Sequence, residues 1–253
     1  MLGDQSDREV QNAAMYCHET DHYVFHCDEG GKAAQDIEHI ASVQEASYQH
    51  ITAMLGFSMN EKIHYYLYDS REALGKECER RFGEYAPNNG CAVSENEILA
   101  VYNETIQCIG AHEDTHILMF TLGYPESRFL EEGVAMAMDA LWWGIDNNAW
   151  TSYYRNNDLC PSVSELIAMT REEFYTVQDK IAYPLAGSFV SYLLMRFERA
   201  QFYEFCMAKD YEAAARGVLG VSLTEIEQEF FRFIDLLSYD KVLLDRIAEL
   251  FRE

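Results

Sequence analysis

The sequence has no long apolar run, no cysteines at short paired spacing and few cationic side chains. No stretch of its 253 residues approaches the roughly 20 apolar positions that cross a bilayer. A membrane span is therefore excluded, and no membrane partner is expected. The N-terminus, Met1-Leu2-Gly3-Asp4-Gln5-Ser6-Asp7, lacks the basic and apolar regions of a signal peptide, so the cytoplasm is the expected compartment. Lys and Arg number 19 against 43 Asp and Glu, a formal net charge of −24. Such a surface repels phosphate backbones and anionic lipid, which argues against a nucleic-acid partner. The seven cysteines are scattered, odd in number and without a CxxC pair. They read as reduced thiols rather than a disulfide framework or a cysteine-rich zinc site, although Cys17 and Cys27 are close enough in sequence to leave a bridge between them open. Repeats and low-complexity linkers are also missing.

What is present is a chain able to bury a core, since 49% of its residues are hydrophobic. Residues 1–20 are polar and read as a loose segment. Tyr23–Cys27 is rich in strand formers and ends in Asp28-Glu29-Gly30-Gly31, a turn. Residues 33–55 carry apolar side chains at helical spacing, with Gly56 as a stop. Ile63–Tyr68 is a second strand, and Asp69-Ser70 caps a helix over 71–82. Cys91–Val93 and Ile98–Tyr102 read as two strands around a turn. From residue 105 onward the pattern predicts only helices, over 105–122, 128–143, 163–170, 184–198, 200–208, 210–217 and 222–252. Strands first and helices later point to an α+β class. The expected organisation is a single domain over 21–253, with an α+β lobe over 21–123 and a helical lobe over 124–253.

The pattern His-Glu-x-x-His occurs twice, at His18–His22 and at His112–His116. On a helix, its two histidines lie on one face and can share a metal, while the glutamate can act as a general base toward water. The first copy runs directly into strand formers, with Thr20 and Asp21 as weak helix formers inside it, and reads as a chance match. The second sits between Ile106-Gln107-Cys108-Ile109 and Ile117-Leu118-Met119-Phe120, an apolar helix closed by Gly123. His112 and His116 are the predicted metal ligands and Glu113 the predicted base. A catalytic zinc usually takes a third protein ligand and keeps one position open. Both Glu131 and Glu132, at the start of the next helix, qualify by spacing.

His-Glu-x-x-His followed by Phe129-Leu130-Glu131-Glu132-Gly133-Val134-Ala135 resembles the gluzincin metallopeptidases, in particular the peptidase MA-like group. The resemblance implies that Glu132, just before the glycine, is the third ligand of one zinc ion per chain. Phe129 stands where that family often has tryptophan. The order of elements over 23–122 is also similar, as is the aromatic-Pro helix Tyr183-Pro184-Leu185-Ala186-Gly187-Ser188-Phe189-Val190. The resemblance implies a zincin-like fold, with a small mixed sheet, an active-site helix and an all-helical C-terminal lobe. It also implies hydrolysis of peptide bonds in a peptide or protein substrate, with Glu113 passing a proton from water to the leaving amine. A second oxyanion donor is usual there, and Tyr183 is the candidate. Ile98–Tyr102 is read as a strand that can offer a free edge to an extended substrate. Trp142 and Trp143 are read as packing between lobes, with a role in the substrate pocket as the alternative. Two further readings stand beside peptidase action: a catalytically silent binding protein of the same fold, and a zinc hydrolase of another amide such as a cell-wall crosslink. The sequence leaves oligomeric state open.

Overall fold

The structure is a computed structural model that describes residues 15–252. Its class is α+β, with a small mixed sheet and many helices. The chain divides into two compact units that meet in sequence between Thr121 and Leu122. Among the described residues, no helix is long and apolar enough to cross a membrane.

The first unit is built on a five-stranded sheet of order β1-β2-β3-β5-β4. Its strands are β1 (Met15–Glu19), β2 (Tyr23–Asp28), β3 (Ile63–Tyr68), β4 (Gly90–Ala92) and β5 (Glu97–Val101). β2, β3 and β5 run parallel, while β1 and β4 close the two sides antiparallel. In β2 and β3 buried and half-buried residues alternate, because each strand turns every second side chain to one face. Tyr23, Phe25, Ile63 and Tyr65 make the inner face of this core. β5 reads Ile98-Leu99-Ala100-Val101, buried at every position, because it is covered on both faces. Helix α3 (Arg71–Phe82) supplies Leu74 and Cys78 against Leu99 and Val101 on one of them. Helix α2 (Ile37–Leu55), which follows the short α1 (Lys32–Gln35), packs with β2 and with α4 (Ala111–Phe120).

Local signals explain several boundaries. Ser70 caps α3 by accepting from the Ala73 N–H at 3.1 Å. Gly56 ends α2 in a left-handed conformation. Other expectations need correction. The part of the supposedly loose segment that falls within the described residues, Met15–Glu19, is a strand paired with β2; residues 1–14 lie outside them. The strand read as a free edge, Ile98–Tyr102, corresponds to β5, which lies inside the sheet; β4 is the edge. The helix expected over 105–122 begins only at Ala111. Asn103 Oδ1 accepts from the N–H groups of Thr105 and Ile106, at 2.9 and 2.8 Å, and holds them in a turn. Cys108 N–H then returns to the Val101 carbonyl at 2.9 Å, so residues 106–109 run extended beside β5.

The second unit is mostly helical. Helix α5 (Arg128–Asp139) is buried from Phe129 through Met138, and α9 (Asp179–Arg196) packs along it. Between them come α6 (Asn147–Asn156), α7 (Val163–Ala168) and α8 (Arg171–Phe174); α10 (Arg199–Cys206), α11 (Tyr211–Ala214), a π-helical turn (Ala215–Leu219), α12 (Leu223–Leu236) and α13 (Lys241–Arg252) follow. Trp150 and Tyr154 of α6 form a core cluster with Ile247 and Leu250 of α13. Pro184 lies inside α9 rather than at its start. A proline there cannot donate to the Lys180 carbonyl one turn back. The Tyr154 hydroxyl donates to that carbonyl instead.

The unit is not all-helical, contrary to expectation. The helix predicted over 128–143 stops at Asp139, with Ala140 left-handed, and the chain turns into a hairpin of β6 (Leu141–Trp142) and β7 (Ile145–Asp146). Its two-residue turn, Trp143-Gly144, has φ of 51° and 74°, the positive pair that matches the twist of a tight hairpin. The Asp146 side chain then caps α6, a helix without a counterpart in the sequence pattern.

Candidate metal centre

Helix α4 owes its start to Gly110. Its φ of 123° and ψ of −158° lie where side chains are strained, so the turn into the helix requires glycine. The turn is pinned from α2 by Gln44, which is fully buried. Gln44 Oε1 accepts from the Gly110 N–H at 2.6 Å, and its Nε2 donates to the Gly110 carbonyl at 3.2 Å and to Asp114 Oδ2 at 3.0 Å. The Tyr23 hydroxyl of β2 donates to the same Asp114 oxygen. Burial and the Asp114 carboxylate hold that phenol protonated, well above the ordinary tyrosine range. Asp114 therefore faces the core of the sheet unit, while the residues on either side of it in the helix turn elsewhere.

Those residues are His112, Glu113 and His116. The two imidazoles are 5.1 Å apart between ring centres, at 79° to each other. Glu113 reaches the edge strand, where the Ala92 N–H donates to its Oε2 at 3.0 Å. Gly90 lets it approach. A Cβ there would lie 3.3 Å from Glu113 Oε1 and 2.5 Å from Cys108 Sγ, the second of which no side chain tolerates.

In the second unit, the first turn of α5 presents two adjacent carboxylates to different partners. Glu131 accepts from Arg128 and, at 2.8 Å, from Arg171. Glu132 is buried and ion-paired through Oε1 to Arg128. The Arg128 guanidinium is pulled down by burial, but the Glu132 and Glu131 charges outweigh this and leave its pKa raised. Gly133 explains how α5 sits so deep. A Cβ on it would meet Val190 Cγ2 at 2.6 Å and the Ala186 carbonyl at 2.9 Å, so the helix next to Glu132 lies directly on α9.

His112, His116 and Glu132 each offer one ligand atom, and these atoms all lie within 4.8 Å of one another. Two imidazole nitrogens and a carboxylate oxygen at that separation can hold a metal ion. Among the described residues no second group of three His, Cys, Asp or Glu side chains converges in this way. Of the two carboxylates that spacing left open, Glu132 joins the histidines and Glu131 is held by arginines.

The first His-Glu-x-x-His copy has no helix. His18 lies in β1, and His22 follows a turn. His22 Nδ1 pairs with Glu45 Oε2 at 2.6 Å, and its ring stacks on Tyr48 at 3.9 Å. All seven cysteines are free thiols. Cys27 faces Tyr16 across the ladder, and its buried thiol lies on the opposite face of the sheet from Cys17, which pairs with His26. Tyr183, in α9, stacks on Trp142 at 5.5 Å. Burial first, and then the Glu132 charge, push its phenol above the ordinary range, so it stays an O–H donor.

Sequence reasoning missed Gln44 and Tyr23, which position α4. Each sits at a core position of its element, and a polar group there is the only signal that sequence could have offered. The chain matches no protein-family model, and no curated protein is similar enough in sequence to count as a relative.

Proposed function

We propose that the protein is a zinc-dependent hydrolase of peptide bonds, in which His112, His116 and Glu132 hold the metal and Glu113 is the general base. The observation that carries this reading is the convergence of the three ligand atoms within 4.8 Å, with Glu113 next to His112 on the same helix. Two histidines and one glutamate suit zinc and leave room for a further ligand. Zinc in such a set supplies a Lewis acid that polarises a carbonyl and lowers the pKa of water toward ~7.

The chain's own groups carry the proton. Glu113 takes one proton from the attacking water as the C–O bond forms, then delivers it to the amide nitrogen as the C–N bond breaks. Its carboxylate is held ready by the Ala92 N–H of the edge strand. That strand has one unpaired side, on which an extended substrate can align by main-chain hydrogen bonds. Tyr183, kept protonated, is the proposed second donor to the developing oxyanion. Arg128, ion-paired to Glu132 Oε1, fixes the carboxylate's orientation.

Purified protein is expected to bind about one zinc per chain. Glu113→Gln keeps the metal and loses turnover of a peptide library, whereas Glu132→Gln loses the metal. Full turnover by Glu113→Gln would overturn the assigned base, and undiminished zinc binding by Glu132→Gln would overturn the ligand set.

A further inference from the structure

We propose that the Leu141–Trp143 hairpin is the selectivity element of this centre, with Trp143 taking up an aromatic side chain of the bound peptide. The proposal rests on the hydrolase reading above and names the class of substrate.

The hairpin carries costs that the fold alone does not explain. Trp143 has a φ of 51°, a conformation that suits Asn or Gly and is rare for a bulky aromatic residue. It is also 52% exposed, so burial returns little of that strain. Behind it, the Trp142 indole N–H is buried and has no hydrogen-bond partner among the described residues. Strain and unpaired donors of this kind concentrate at binding sites.

The hairpin is nevertheless held firmly. Trp150 Nε1 donates to the Trp142 carbonyl at 2.9 Å, and the Asn147 N–H donates to the Ala140 carbonyl at 3.1 Å. The indoles of Trp142 and Trp143 stack at 5.8 Å and 16°. Trp142 in turn stacks on Tyr183 at 5.5 Å and 23°, and Tyr183 meets Phe174 at 6.2 Å. A continuous series of rings therefore leads from the exposed tip to the tyrosine that lies in the field of Glu132. Rigid stacked indoles bind a planar apolar ring with little loss of conformational freedom.

The neighbours favour an aromatic over a cationic occupant. Leu141, two residues before Trp143, is 47% exposed and extends the apolar surface. The Arg128 guanidinium lies over the Tyr175 ring at 5.7 Å and its charge acts on Tyr183, so a second cation close by is repelled.

The test uses the zinc-loaded full chain carrying Glu113→Gln, so that peptides bind without being cleaved. The probes are blocked, fluorescently labelled alanine-based hexapeptides with one guest position, Phe, Arg or Ala. The Phe guest is expected to bind about tenfold more tightly than either of the others. Adding Trp143→Asn should bring the Phe-to-Ala ratio close to one. Asn is at home in a left-handed turn, so the melting temperature should stay level or rise. A merely structural tryptophan predicts the reverse, with melting lowered and the ratio kept, and that result would overturn the proposal. So would an Arg guest that binds best, or no preference in the parent. The two readings fail separately. If the unmutated protein cleaves no peptide yet Phe selectivity depends on Trp143, the hydrolase reading falls and the platform stands. If it cleaves peptides and Trp143→Asn keeps the preference, the platform falls alone.

Discussion

Replacing Gln44 by leucine tests whether the metal-binding helix is held from α2. The substitution roughly conserves volume, so little cavity is created and the polar terms dominate. Three hydrogen bonds are lost, two to the Gly110 peptide groups and one to Asp114 Oδ2. The Gly110 groups are only part-buried, so each costs about 1 kcal/mol, while the buried Asp114 oxygen costs about 1–3 kcal/mol. The sum is about 3–5 kcal/mol, a large part of the 5–15 kcal/mol that typically separates folded from unfolded chains. At roughly 2–4 °C per kcal/mol for a chain of this size, melting should fall by about 10 °C. Zinc affinity should fall as well, by about tenfold, because the turn that aims His112 is loosened. Urea unfolding followed by circular dichroism measures the first effect and competition with a zinc chelator the second. Gln49→Leu, at an exposed position of the same helix, is the control. If Gln44→Leu unfolds within about 0.5 kcal/mol of that control, the surface-substitution range, Gln44 does not hold the helix.

Two further outcomes follow from the same geometry. Gly133→Ala places a methyl 2.6 Å from Val190 Cγ2 and 2.9 Å from the Ala186 carbonyl. Destabilisation of about 1–3 kcal/mol is expected, and Val190→Ala should restore only part of it, because the carbonyl cannot be trimmed. Urea midpoints for the single and double variants check this; a neutral Gly133→Ala would contradict the packing described. The second outcome concerns pH. His26 Nε2 lies 3.1 Å from His64 Nδ1, and burial first, then His64, lower the His26 pKa, with Glu97 opposing. A histidine whose folded pKa is depressed stabilises the fold above its unfolded value of about 6.5, and that contribution is lost as pH falls through the folded value. Acidification from pH 7.5 to 5.5 should therefore lower the urea midpoint more for the parent than for His26→Gln. An equal drop in both would remove His26 from the account.

Much of the first unit was legible because its signals are local. Ser70 caps α3, Gly56 stops α2, and alternation marks β2 and β3, each through groups only a few residues apart. The surroundings of the two His-Glu-x-x-His copies separated a strand from a helix for the same reason. Where the reading failed, a partner was distant or ambiguous. Apolar residues at 106–109 suit a helix, and only the Asn103 turn and the pairing of Cys108 to Val101 draw them out of it. The apolar run of β5 looked like an edge strand because a run says that two faces are covered, not which strands lie alongside.

By itself, the sequence determined that two histidines and a glutamate share one turn of helix, since a spacing of four residues is a property of the helix alone. It also confined the third carboxylate to Glu131 or Glu132. Only tertiary structure decided between them. Adjacent residues on a helix point about 100° apart, so each meets different neighbours. Arg128 and Arg171 hold Glu131, and Glu132 is left to join the histidines. The hold of Gln44 on Gly110, across 66 positions, has the same character. It exists only once α2 and α4 are packed together, because no local rule connects residues that far apart.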